Sequence, residues 1–129
     1  MSNPEFFNPT SVVAPVGAYS HGGFVKANSD LLFLAGQVGL RPDGTLPASL
    51  AEQADETFAN IVRILKAKDM TVANLVKLNL YVVFGQPASE VRAARLRHFG
   101  DHKPASTFIY VPQLVEAKYL IEVEGVAAR

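Results

Sequence analysis

No cysteine occurs among the 129 residues, which removes disulfides, thiolate nucleophiles and cysteine-based metal centres from consideration. No apolar run approaches the ~20 residues that a membrane-crossing helix requires. Neither sign of charge dominates, since 12 Lys and Arg balance 12 Asp and Glu. Nothing in that balance favours a nucleic acid, a polyanion or an acidic membrane surface as partner. The densest basic group, Arg92, Arg95 and Arg97, lies where one short helix would spread it around its surface. His21, His98 and His102 have no metal-ligand spacing, so no metal is expected. The opening MSNPEFFNPTSVV has no basic segment followed by an apolar core, so it does not read as a signal peptide. The expected compartment is the cytoplasm.

Common catalytic signatures are missing too. Gly36-Gln37-Val38-Gly39 is too short for a phosphate or dinucleotide loop and precedes no helix directly. Serine and histidine occur without a nucleophile-elbow sequence, so a hydrolase triad has little support.

What is present is a chain 49% hydrophobic, enough for one compact domain spanning residues 1–129. Residues 1–18, rich in Pro, Asn and Ser, are expected to lie over its surface. Gly22-Gly23 reads as a turn and Phe24-Val25-Lys26 as a short strand, with Asn28-Ser29-Asp30 turning the chain back. Leu31 to Val38 is apolar on both alternating faces, the pattern of a strand covered on both sides. Arg41-Pro42-Asp43-Gly44 is a turn by composition.

Ser49-Leu50-Ala51-Glu52 has capping-box spacing. Leu50, Ala54, Phe58, Ile61 and Leu65 then recur at three and four residues, predicting an amphipathic helix to about Lys68. Val76 to Phe84 predicts a second buried strand, broken by Gly85-Gln86-Pro87. Ser89 is placed to cap a helix that buries Val91, Ala94 and Phe99 and stops at Gly100. Strands over Ser106 to Val111 and Tyr119 to Ala127 follow, with Pro112 to Ala117 as a loop. The expected class is α+β, in the order β-β-α-β-α-β-β, with no internal repeat or linker.

Two helices of this size cover roughly one face of such a sheet. Yet Leu31, Phe33 and Ala35 oppose Leu32 and Leu34, and Ile109 and Val111 oppose Phe108 and Tyr110. An uncovered second face of this kind is larger than monomers usually tolerate. Either another copy of the chain covers it or the first 20 residues fold over it; association is the preferred expectation.

Glu122 and Glu124 interrupt the last apolar run and point to one side of their strand. A carboxylate among apolar neighbours suits proton transfer, because burial raises its pKa. The plainer readings are a solvated side or pairing with Lys or Arg. Gly17-Ala18-Tyr19-Ser20-His21 groups a phenol, a hydroxyl and an imidazole, which alone is weak. Arg92, early in the second helix, either meets an anion or faces water.

In order, Pro15-Val16-Gly17-Ala18-Tyr19-Ser20, Leu34-Ala35-Gly36-Gln37-Val38, the helix starting Glu52-Gln53, Val76-Lys77-Leu78-Asn79-Leu80-Tyr81-Val82, Pro104-Ala105-Ser106-Thr107 and Ile121-Glu122-Val123-Glu124-Gly125-Val126-Ala127 closely resemble the Rid/YjgF family, the reactive-intermediate enamine and imine deaminases. The resemblance runs from about residue 14 to the C-terminus. It implies a chorismate-mutase-like fold, a homotrimeric barrel, and small-molecule clefts between subunits. It further implies a water that attacks an imine and releases ammonia and a 2-oxo acid, with no cofactor.

Carried over residue by residue, Glu122 matches the family's water-orienting glutamate and Tyr19 its N-terminal tyrosine, with Gly36 and Gln37 beside the cleft. Ser106 stands where the family has its carboxylate-binding arginine. Ala35 replaces a serine, Phe108 follows Thr107 at a position often held by a small residue, and Arg92 takes one often held by asparagine. A serine hydroxyl offers one neutral donor where arginine offers a bidentate fork. That loss costs on the order of 1.5–3 kcal/mol of binding. The cleft therefore either takes a different ligand or recovers the charge from Arg92. A deaminase-like hydrolase of altered specificity is the leading functional expectation, and a non-catalytic metabolite-binding trimer is the alternative. The older ribonuclease description attached to the family finds no support in the charge balance.

Overall fold

In a computed structural model, which describes residues 3–129, Ser49 is extended and its hydroxyl oxygen accepts from the Glu52 amide at 3.2 Å. This starts helix α1 (Leu50–Lys66). Only half of the anticipated reciprocal box forms, because the Glu52 carboxylate takes the Ser49 hydroxyl instead, at 3.3 Å. The stripe Leu50, Ala54, Phe58, Ile61 and Leu65 is buried as its spacing requires.

Helix α2 (Ala88–Phe99) is capped by Pro87, and Ser89 lies inside its first turn. No side chain caps this end; the Glu90 amide donates to the Pro87 carbonyl at 3.2 Å, and proline holds the φ that a helix entry needs. Gly100 terminates α2 at a positive φ of 62°, a conformation that costs glycine nothing.

Six strands complete the fold: β1 (Glu5–Phe7), β2 (Gly22–Phe24), β3 (Leu31–Gln37), β4 (Leu75–Val83), β5 (Ala105–Val111) and β6 (Ile121–Ala128). The main sheet runs β3-β6-β4-β5. Its first two junctions are antiparallel and β4–β5 is parallel, with α2 as the crossover that a parallel pair requires. Both helices pack on one face, where Leu34, Leu78, Leu80, Val82, Ile121 and Val123 join the α1 stripe and Val91, Ala94 and Phe99 in one core. The chain is α+β, as expected, and its sheet is mixed.

Two readings are corrected at the N-terminus. Residues 8–18 do lie over the surface, but Glu5–Phe7 form a strand that pairs with β2. Gly22-Gly23 is strand and not a turn. A side chain at Gly22 would meet the Phe7 ring, and one at Gly23 would meet Val76; the two glycines let β1 and β4 approach.

The opposite sheet face is open in the single chain, but it is not uniformly apolar as its strands suggested. Phe33, 73% exposed, and Leu31 lie on one flank and Ile109 on the other. Between them β4 and β6 present Lys77, Asn79, Tyr81, Glu122 and Glu124, all partly exposed. Leu80 and Val82, the apolar partners in that alternation, point into the helix-side core. Among the described residues no helix is long and apolar enough to cross a membrane.

Candidate functional site

Ser20 is buried and stitches the N-terminal segment to the start of β5. Its amide donates to the Pro104 carbonyl at 3.2 Å and its hydroxyl to the Lys103 carbonyl at 2.6 Å. The turn before it is thereby held beside α2. Within that turn the Tyr19 hydroxyl accepts from the Val16 amide at 3.4 Å, and its ring meets His21 edge-on at 6.3 Å. Facing it, α2 presents Arg92, Arg95 and Leu96, while β5 supplies Ser106, Thr107 and Phe108. Together these enclose a cleft of about 640 Å³.

The cleft's electrostatics centre on Arg95. Its Nη2 donates to the Ser106 hydroxyl oxygen at 2.9 Å, and Ser106 donates onward to the Pro104 carbonyl at 3.1 Å. Burial lowers the Arg95 pKa from the usual arginine value, because desolvation disfavours the cation. Among the described residues no carboxylate pairs with Arg95, although Arg97 meets Asp55 at 2.9 Å and Arg63 meets Glu56 at 3.1 Å.

A second cluster lies on the open sheet face. The Glu122 carboxylate rests over Gly36, where any side chain would collide with it. Gln37 bends back so that its amide donates to the Ala35 carbonyl at 3.2 Å. Beside them Asn79 donates to the Glu124 carboxylate at 3.3 Å. The Tyr81 phenol is pushed above its ordinary pKa by burial first and then by the negative charge of Glu124.

The structure therefore brings Tyr19, Arg92, Ser106, Thr107 and Phe108 into one cleft and Ala35, Gly36, Gln37 and Glu122 into another place. Glu122 pairs with Tyr81, which pairs with Ile109, three residues beyond Ser106. Two strand spacings and three residues of rise put Glu122 and Ser106 about 14 Å apart. Glu122 lies on the open face and Ser106 toward α2. Within one chain the two cannot touch the same small molecule.

Arg95 is the site residue that sequence reasoning missed. It was read with Arg92 and Arg97 as spread around α2, and only Arg97 leaves for another surface, where it binds Asp55 on α1. Arg92 and Arg95 are three residues apart and share a helix face, a signal present in the sequence. That this face turns toward β5 is a tertiary fact. No group of three or more His, Asp or Glu side chains suited to a metal gathers among the described residues.

The sequence pattern of the family described as Endoribonuclease L-PSP matches residues 10–129. Protein HMF1 of Saccharomyces cerevisiae is 31% identical over 116 residues, covering 89% of this chain and 88% of that protein. The 2-iminobutanoate/2-iminopropanoate deaminase of Escherichia coli K12 is 28% identical, covering 90% and 91%. Among solved structures, the Rid-family protein YyfB of Yersinia pestis, of unknown function, superimposes with a TM-score of 0.84 at 29% identity, covering 99% and 100% of the two chains. The chain belongs to the endoribonuclease L-PSP family, known also as the Rid or YjgF family.

Proposed function

We propose that this protein is a homotrimeric hydrolase that deaminates a small imine, the tautomer of an enamine, in clefts between its subunits. The observation that carries the reading is the division of the site. One wall holds the cation and the phenol, the other holds the carboxylate, and about 14 Å and a change of sheet face separate Ser106 from Glu122 in a single chain. A second copy that presents its own open face to the β5 edge of the sheet would bring its Gly36, Gln37 and Glu122 against the Tyr19–Ser106 cleft. The exposed Phe33 and Leu31 supply the apolar contact that such docking requires. Relatives that are 2-iminobutanoate/2-iminopropanoate deaminases support the choice of reaction.

In this reading Glu122 is the catalytic residue. Its carboxylate accepts a hydrogen bond from a water, which adds to the imine carbon as the imine nitrogen takes up a proton. The tetrahedral carbinolamine then breaks its C–N bond, ammonia leaves, and the hydroxyl loses its proton to become the carbonyl of a 2-oxo acid. Water supplies the oxygen and both protons, so no oxidant or reductant is needed. Tyr19 lines the pocket and orients the substrate.

The test is ammonia release from 2-aminoacrylate generated in situ. The wild-type protein is expected to outpace the spontaneous reaction, and Glu122→Ala to fall back to it. A wild-type rate no faster than the spontaneous one, with 2-aminoacrylate and with the imine of 4-methyl-2-oxopentanoate alike, would leave a trimer that binds a metabolite without converting it.

A further inference from the structure

We infer that Arg95, carried by α2 and held by Ser106, is the carboxylate-binding residue of the cleft, and that the ligand is a carboxylate bearing an apolar substituent larger than methyl. The inference rests on the reading of this cleft as the ligand site, not on the reaction assigned to it.

The guanidinium carries five N–H donors, and among the described residues its one side-chain partner is the neutral Ser106 hydroxyl at 2.9 Å. A desolvated cation with no counter-charge is costly, and a carboxylate that accepts two parallel bonds relieves that cost. The surroundings have the matching sign: Arg92 and Lys103 also line the cleft, against a single acid, Asp101. His102 is already engaged, its Nε2 2.9 Å from the Leu75 carbonyl. Ser106 matters here for being small. A long side chain at residue 106 would fill the space into which the Arg95 head reaches, so the serine and the α2 arginine form one arrangement.

The substituent follows from the remaining wall. Val16, Leu96 and Phe108 line the cleft beside Arg95, and Val16 and Leu96 are exposed in the chain. Apolar walls next to a cation select an amphipathic acid, because each methylene placed against them gains affinity.

The test is calorimetric titration of the full-length protein with two 2-oxo acids, pyruvate and 4-methyl-2-oxopentanoate, and with the amide of the latter as a neutral control. The branched acid is expected to bind at least tenfold more tightly than pyruvate and than its own amide. Arg95→Met is expected to weaken the branched acid ten- to a hundred-fold, while Arg97→Met, on the same helix but paired with Asp55 away from the cleft, changes it less than threefold. Should Arg95→Met fail to fold by circular dichroism, Arg95→Lys keeps the charge, loses the fork and should still weaken binding about tenfold. Equal affinity for acid and amide, no preference over pyruvate, or an Arg95 variant that binds like wild type overturns the inference, as does a wild-type protein that binds neither acid. Binding that behaves as expected without any ammonia release would instead leave this inference standing and remove the hydrolase reading.

Discussion

Gly36 lies directly beneath the carboxylate of Glu122, so that a methyl group at residue 36 would take the place of the Glu122 Oε2. The glycine has no positive φ, and alanine there introduces no backbone strain. What must move is the far end of a flexible glutamate. Gly36→Ala is therefore expected to leave the thermal midpoint within a few degrees of wild type while lowering ammonia release about a hundredfold, the scale of a lost general base. A variant with wild-type activity would show that the carboxylate position does not matter to the reaction.

This relationship also marks where the sequence stops being readable. Ser49 with the Leu50-to-Leu65 stripe defines α1 almost to the residue, because capping and helical periodicity are local. Gly22-Gly23 misleads, since glycine serves a turn and a close strand approach equally well, and the Phe7 ring that decides the matter is fifteen residues away. Glu122 was legible as an acid among apolar neighbours. Arg95 was not, because its role depends on the side of β5 to which α2 returns.

Phe33 pairs with Val126 across β3 and β6 on the open face and is 73% exposed in the single chain. If copies dock there, Phe33→Glu places a charge in the interface and should yield single subunits. Sedimentation of wild type at micromolar concentration is expected to give three times 13.9 kDa, and the variant one. A wild-type mass of one subunit would remove the second wall of the cleft and the proposed reaction with it.

Gln53 is fully buried on α1 and all of its amide is used. Nε2 donates to the Pro47 carbonyl at 2.9 Å and the Lys118 carbonyl at 3.1 Å, and Oε1 accepts from the Leu120 amide at 2.9 Å. The side chain thus fastens the loops on either side of the core and sets the entry of β6, which carries Glu122. Gln53→Leu conserves bulk but strands the Leu120 N–H and two carbonyls away from water. Stability should fall by about 3 kcal/mol, seen as a lower urea midpoint at unchanged slope.

Tyr81 links the sheet's polar centre to pH. Its folded pKa is raised by burial and by Glu124, whereas an unfolded chain loses the phenolic proton near pH ~10. Below that value both states hold the proton and the contribution is constant. Above it the unfolded state ionises first and binds fewer protons, so stability falls as pH rises toward the folded pKa. Tyr119 is raised in the same direction, first by its hydrogen bond to Glu116, so Tyr81→Phe should flatten only part of the alkaline slope. The double substitution with Tyr119→Phe should flatten more of it. Urea unfolding at pH about 9 and about 11 measures the difference. A wild-type protein equally stable at both values would show that neither phenol holds its proton more tightly in the folded state.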